Sequence, residues 1–371
     1  MKLVGQGVQS CVIQPPYSCD TEKIPKNSVS KILTREKAIE EENKYKIVHS
    51  YDPKRIFSPK NVFRCEISKP TRDVLHDLNK LRCTTFKNKR HKVYSLEQIV
   101  MTKHGIPLHK TNLSSFYKDI NTCETYIVRE IRRLLYCASV LRSHKYSHMD
   151  LHSGNILVDK TTGKLTVIDF GELTKDINIY SYIRDRKFTK RDYTQFPPET
   201  VIISTILSTD TREETGSEIK NMSSDIVRLL QHGYTTGRLA GELVGVLKKT
   251  KYLSCLSDIM DPTNFPSISR DNLYSLRCGA LLSLRNILKQ GKSFSYACAL
   301  SFVTIDSYAI GEIIKTILKH VILNDPVFYS KSILRDINTK IYKLTNTNIN
   351  ERTSARSVLI DINKLRLIKV R

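Results

Sequence analysis

The period of the apolar positions changes several times along this chain. Val29, Ile32 and Leu33 enclose Ser30 and Lys31 in a short strand-like run. Ala38, Glu41, Tyr45 and Val48 then recur three and four residues apart on one face, which predicts a helix from Thr34, as its cap, through Val48. A basic, irregular stretch follows over 52–92, with strand candidates near 61–67. Residues 98–102 read as a strand that ends in a polar link, Lys103-His104-Gly105. Ile127, Ile131, Leu134, Leu135, Ala138 and Leu141 predict an amphipathic helix over 123–142. Two apolar runs, at 156–158 and 165–168, flank a polar turn and read as paired strands. Helical patterns return over 234–251 and 273–288, and from Asp306 onward Ile313, Ile314 and Ile317 extend one apolar face. No apolar run approaches the ~18 residues that a membrane span needs, so no membrane partner is expected.

With 371 residues, 40% of them hydrophobic, the chain can bury a large core as one bilobal unit or as two domains. Its nine cysteines are odd in number and contain no C-x-x-C pair. That predicts reduced thiols in a cytosolic compartment rather than a disulfide framework or a zinc site. The N-terminus runs straight from Met1 into a glycine motif, so no signal peptide is expected. The net charge of +23 implies attraction to polyanions: nucleic acid, acidic proteins or phosphorylated surfaces. Because Lys and Arg are spread over the whole chain, nucleic acid is expected as a non-specific partner, and a plainly solvated surface gives the same composition.

The chemistry concentrates in one stretch. In His148-Met149-Asp150-Leu151-His152-Ser153-Gly154-Asn155, an Asp precedes an Asn by five residues, and a short apolar strand follows. After the turn, the next strand delivers Asp169-Phe170-Gly171. Asp and Asn oxygens are hard ligands suited to Mg²⁺ beside phosphates. A free carboxylate at Asp150 can orient a hydroxyl and accept its proton. Near the N-terminus, Gly5-Gln6-Gly7-Val8-Gln9-Ser10-Cys11-Val12 has the glycines that let a hairpin backbone approach phosphates. The inward-pointing Lys31 needs a partner if it is buried, and the apolar stripe selects Glu41 over Glu40 and Glu42.

The H-x-D-L-x-x-x-N run followed by D-F-G resembles the catalytic loop and magnesium motif of protein kinases. The resemblance implies an α+β, bilobal fold. Residues 1–103 would form a small β-rich lobe that binds ATP, and 104–371 a larger helical lobe with an insertion at about 205–300. It also implies roles. Asp150 would be the catalytic base. Lys31, paired with Glu41, would hold the α- and β-phosphates. Asn155 and Asp169 would hold Mg²⁺, or Mn²⁺ in its place. Gly5, Gln6, Gly7, Val8 and Val12 would cover the nucleotide, and backbone groups from Val100 through Met101 to Lys103 would bind adenine. Phe196-Pro197-Pro198-Glu199 resembles the end of an activation segment whose basic cluster (Arg184, Arg186, Lys187, Lys190, Arg191) would favour acidic protein substrates. Asp306-Ser307-Tyr308-Ala309-Ile310-Gly311 resembles the core helix whose Asp fixes the catalytic loop, and Arg352 would form a buried salt bridge with Glu199.

Within that superfamily the chain is similar to serine/threonine kinase-like proteins of large cytoplasmic DNA viruses, insect iridescent viruses in particular. The segment from Gly5 to Pro16 with Cys19 following, Val29-Ser30-Lys31 and the Lys-rich composition carry this likeness. It implies host cytoplasm, or association with the virion, as the location. Met149 stands where an Arg usually precedes the catalytic Asp, so activity without phosphorylation of Thr189, Tyr193 or Thr194 is expected. His152 stands where Ser/Thr kinases usually have Lys, and the same D-L-H-x-G-N wording occurs in small-molecule kinases. Two alternatives therefore stand beside phosphorylation of protein Ser or Thr. One is a small-molecule kinase, and the other a silent basic scaffold that binds acidic partners or nucleic acid.

Overall fold

The computed structural model describes residues 1–86, 95–176 and 283–365, apart from scattered positions inside these spans. It also describes Asn178, Phe196, Pro197, Glu199, Thr200 and Ile203. In chain order the principal elements begin with β1 (Lys2–Gln6), β2 (Cys11–Gln14), β3 (Ser28–Thr34), α1 (Arg35–Tyr51), β4 (Phe63–Glu66), α2 (Thr71–Lys80) and β5 (Leu96–Thr102). Then come β6 (Ile106–Pro107), α3 (Ile120–Ser143), β7 (Tyr146–Ser147), β8 (Ile156–Val158), β9 (Leu165–Val167) and β10 (Thr174–Lys175). The last are α4 (Phe294–Val303), α5 (Ile305–Asn324), α6 (Ile333–Leu344) and α7 (Ala355–Lys364). The protein is thus mixed α+β, with a sheet-rich N-terminal region and a helical C-terminal one.

Two compact units result: Met1–Asn112 with Ser153–Leu173, and Leu113–His152 with Thr174–Arg371. This division differs from a break after residue 103 for a hydrogen-bonding reason. Ile106 pairs with Val158, and β8 pairs with β9, so the 153–173 hairpin belongs to the first unit. Gly105 makes that junction close. Its φ is +123°, and a Cβ there would lie 1.8 Å from the Val158 carbonyl oxygen.

The first unit is built on an antiparallel sheet in the order β1-β2-β3-β5-β4. One face carries Cys11, Ile13 and Ile32 against Val74 and Leu78 of α2. Helix α1 buries Ala38, Glu41, Tyr45 and Val48, the four positions on the predicted stripe, and runs to Tyr51 rather than stopping at Val48. Thr34 is the N-cap by position, but its side chain makes no capping hydrogen bond. Helix α2 was not anticipated in the irregular 52–92 stretch: in its ten residues only Val74 and Leu78 are buried, which leaves a weak periodic signal.

The cysteines correct another expectation. Cys11 is joined to Cys83 and Cys19 to Cys65, with Cα separations of 6.3 and 5.8 Å. The pairs are far apart in sequence and become neighbours only when β2 meets the segment after α2, and Cys19 bridges to Ile67 beside β4. Cys123, Cys137 and Cys298 are buried and lie outside these two disulfides. The thiol argument for a reducing compartment therefore loses four of its cysteines.

In the second unit, α3 packs against α5, α6 and α7, and α5 against α4 and α6. Helix α3 starts at Ile120, three residues before the predicted start at Cys123, because Asp119 and Thr122 form a reciprocal capping box. Helix α5 buries apolar residues on nearly every side, as a core helix does. Gly311 on α5 admits the end of α6: a Cβ there would lie 2.6 Å from Thr345 Cγ2. Among the described residues no single helix is long and apolar enough to cross a membrane. The bent pair Tyr296–Val303 and Ile305–Leu323 is apolar enough only when taken together, and many of its apolar residues pack inside the unit.

Candidate functional site

In the first unit the local geometry converges on Lys31. Strand β3 is buried along nearly its whole length, which brings the Lys31 side chain in with it. Its Nζ donates to Glu41 Oε1 at 3.0 Å, lies 2.8 Å from Oε2, and donates to Asp169 Oδ1 at 2.7 Å. Burial alone would pull the ammonium pKa down. Asp169 and then Glu41 more than reverse this, so Lys31 titrates above its ordinary range and stays charged. Burial pushes the Glu41 carboxyl up, while Lys31 opposes that shift. The three groups carry one positive and two negative charges. Glu41 is nearly enclosed, but the Asp169 side chain is 36% exposed, so the excess negative charge faces outward.

Two residues near this cluster were missed as functional positions in the sequence. The Asp169 N–H donates to Tyr45 Oη at 3.2 Å, and the Tyr45 ring meets Phe170 edge-on at 5.5 Å. Lys44 Nζ donates to the Gly171 carbonyl at 2.5 Å. Both lie three or four residues after Glu41, so the helical period that selects Glu41 also marks them. Helix α1 therefore touches each residue of Asp169-Phe170-Gly171. Asp169 itself sits at φ 62°, in the left-handed region that costs a non-glycine residue roughly 1–3 kcal/mol.

Asn155 is brought to the same end of the β8–β9 hairpin as Asp169. Ile156 faces Val167, and the Ile168 N–H donates to the Asn155 carbonyl at 2.9 Å. These two oxygen-bearing side chains fit Mg²⁺, which takes one or two protein ligands and completes its shell with phosphate and water. Among the described residues no cluster of three or more His, Cys, Asp or Glu could hold a metal alone.

The glycine motif forms the expected hairpin, with Gly5 opposite Val12, Gln6 opposite Cys11, and the Gly7 N–H donating to the Ser10 carbonyl at 2.9 Å. Thr85 Oγ1 donates to the Gly7 carbonyl at 2.8 Å and braces the turn. Val8 lies outside the described residues. The expected adenine-binding backbone lies at the end of a sheet strand and in the link after it. Strand β5 runs through Thr102, with Met101 opposite Val29. The Lys103 N–H is spent on the Asn27 carbonyl at 2.9 Å, and Lys103 Nζ donates to Gln14 Oε1 at 2.9 Å.

In the second unit, Asp306 is buried and accepts the N–H groups of His148 at 2.6 Å and Met149 at 3.3 Å. Burial pushes its carboxyl up to about 6, against the opposing pull of these two hydrogen bonds. Met149, just before Asp150, is buried at φ 65°. Asp150 is half-buried. Its N–H donates to His148 Nδ1 at 3.3 Å, and its Oδ2 lies 3.9 Å from His152 Nε2. Glu199 and Arg352 form the expected pair, with Nη1 to Oε1 at 2.5 Å and Nη2 to Oε2 at 3.1 Å, and both side chains are fully enclosed. The basic cluster from Arg184 to Arg191, Thr189, Tyr193, Thr194, Pro198 and most of the 205–300 insertion lie outside the described residues. No protein-family model matches the chain.

Proposed function

We propose that this protein is a phosphotransferase of the protein-kinase kind, which moves the γ-phosphoryl group of ATP to a Ser or Thr hydroxyl of a protein. The observation that carries this reading is Lys31 bonded at once to Glu41 and Asp169. A buried lysine held by a helix glutamate, with the carboxylate of D-F-G beside it, is the arrangement that phosphoryl transfer in kinases requires. The Lys31 charge would hold the α- and β-phosphates. Asn155 and Asp169 would hold Mg²⁺, which when bound neutralises phosphate charge. Asp150 would accept the hydroxyl proton as that oxygen bonds to the γ-phosphorus and the bond to the β–γ bridging oxygen breaks. Asp306, by fixing the amides of His148 and Met149, would hold the segment that carries Asp150.

The enclosed Glu199–Arg352 pair favours a protein acceptor over a small molecule, because small-molecule kinases generally lack this part of the large lobe. The test is transfer of labelled phosphate from ATP/Mg²⁺ to acidic and basic test proteins, comparing wild type with Asp150→Ala. Labelling of Ser or Thr by wild type, lost by a factor of ~10² or more in a folded variant, is the expected result. ATP binding with no protein labelled would transfer the case to small-molecule acceptors. Neither binding nor transfer, with salt-sensitive binding of nucleic acid, would leave the scaffold reading.

A further inference from the structure

The loop from the end of α1 to β4 borders an open cavity of about 350 Å³ lined by His49, Arg55, Lys60, Asn61 and Val62, all within the first unit. We propose that this cavity binds a phosphate monoester group. The proposal does not depend on the phosphotransfer reading.

The loop is rigidly built. Asp52 is buried, and its carboxylate accepts the N–H groups of Ile56 at 2.7 Å, Phe57 at 3.0 Å and Ser58 at 2.9 Å, plus Ser58 Oγ at 2.9 Å. Four donors occupy that carboxylate, which leaves it poorly placed to neutralise Arg55 three residues later. Arg55 sits at φ 50° and is anchored through Nη1 alone, which donates to the His49 carbonyl at 2.9 Å and the Asp52 carbonyl at 2.6 Å. The guanidinium is thus held in place with its remaining nitrogens uncommitted. Lys60 is fixed through its backbone, whose N–H donates to His104 Nε2 at 3.0 Å, while its ammonium is exposed. Among the described residues neither Arg55 nor Lys60 forms an ion pair.

The surroundings add positive charge. Lys164 Nζ donates to the Arg55 carbonyl at 2.9 Å. Burial lowers the pKa of both flanking histidines. Arg55 lowers His49 further, and Lys164 and Lys60 lower His104, which falls to about 4. The other carboxylate here, Asp159, accepts the N–H groups of Thr161 and Thr162 and the Thr162 hydroxyl at 2.7–3.1 Å. The Asn61 amide donates one N–H to Thr102 Oγ1 at 3.1 Å and keeps the other; a preorganised guanidinium, an unpaired ammonium and this second amide N–H around one concavity supply more donors than a carboxylate can use. They suit the three terminal oxygens of a phosphate monoester. His49 Nε2 is already donated to the Pro59 carbonyl at 3.1 Å, so the cations rather than the imidazole would bind the anion.

The group can come from free phosphate or from a phosphorylated Ser or Thr side chain. Full-length ¹⁵N-labelled protein would be titrated with inorganic phosphate, with a phosphoserine peptide and with its unphosphorylated form, at ionic strength matched with chloride. The signals to follow are the His49 ring and the Asn61 amide. Saturable shifts with phosphate, weakened about tenfold in Lys60→Gln and in Arg55→Gln, are expected for the loss of one charge-assisted contact. Lys60→Gln touches no structural side-chain contact, so it keeps the test open should Arg55→Gln fail to fold. Tighter binding of the phosphopeptide than of phosphate assigns the source to a phosphorylated chain, and equal binding assigns it to free phosphate. Shifts that do not saturate, that chloride reproduces, or that Lys60→Gln leaves unchanged overturn the proposal. Failure here leaves the Lys31 site untouched, because none of these residues belongs to it.

Discussion

The two units each bury an ion pair, and the pairs are built to opposite ends. Around Arg352 every charge is answered. Glu199 accepts from both Nη groups, Ser301 also donates to Glu199, the Asn346 carbonyl and Thr304 Oγ1 accept from Arg352, and the Tyr308 ring lies 5.1 Å from the guanidinium. The pair has no exposure and no charge left over. Around Lys31 the count is uneven: two carboxylates share one ammonium, and the surplus carboxylate, Asp169, is the exposed one. A balanced, sealed pair holds a fold together. An unbalanced pair open on its negative side is what the proposed binding of a cation and of phosphates would require.

The largest expected effect breaks the balanced side. Arg352→Ala leaves Glu199 buried and uncompensated and should cost about 3–5 kcal/mol, read as a lower denaturant midpoint for the second unit. The disulfides should sharpen the comparison from the other side, since both staple the first unit. In the chain-entropy picture, opening the 72-residue separation between Cys11 and Cys83 costs about 4 kcal/mol. Cys11→Ser with Cys83→Ser should therefore lower the melting of the first unit and leave the second alone.

Lys31→Met should do the reverse of Arg352→Ala. Transfer activity should fall by about 10²–10³, while stability falls less than in Arg352→Ala, because Glu41, whose carboxyl burial already pushes up, can take up a proton and Asp169 is partly exposed. A loss of stability as large as that of Arg352→Ala would erase the distinction between the two pairs.

Asp306 gives a pH test. Its folded pKa, about 6, lies above the ordinary carboxyl value of 3.8. The stability it lends is fully present below the ordinary value and is lost as pH rises through about 6. The shift is worth about 3 kcal/mol at most. Between pH 5 and pH 8 the wild type should lose stability relative to Asp306→Asn, and parallel melting curves for the two would contradict the buried-carboxylate account. The smallest effect belongs to Thr34→Ala. A bonded cap is worth about 1 kcal/mol, and because Thr34 makes no such bond the change should stay below about 0.5 kcal/mol.

The side chains that meet in each cluster were legible in the sequence because their spacing carries them. Lys31 sits within apolar neighbours, Glu41 shares a helical stripe with Ala38, Tyr45 and Val48, and Asp169 ends an apolar strand. Asp306, Glu199 and Arg352 were legible through the kinase resemblance, and each meets the partner it implied. What was not legible depends on distant approach or weak period. No local spacing marks Cys11 for Cys83 or Cys19 for Cys65. Helix α2 hides in a basic stretch behind two buried residues. The Lys103 amide looked available because nothing near it in sequence announces the Asn27 carbonyl.

Calorimetric titration of ATP with and without Mg²⁺, on wild type and on Asp169→Asn, addresses the unbalanced cluster most directly. The account predicts that wild type binds ATP more tightly with Mg²⁺ and that Asp169→Asn loses this metal dependence while remaining folded. ATP binding that is absent, or indifferent both to Mg²⁺ and to Asp169, would contradict it.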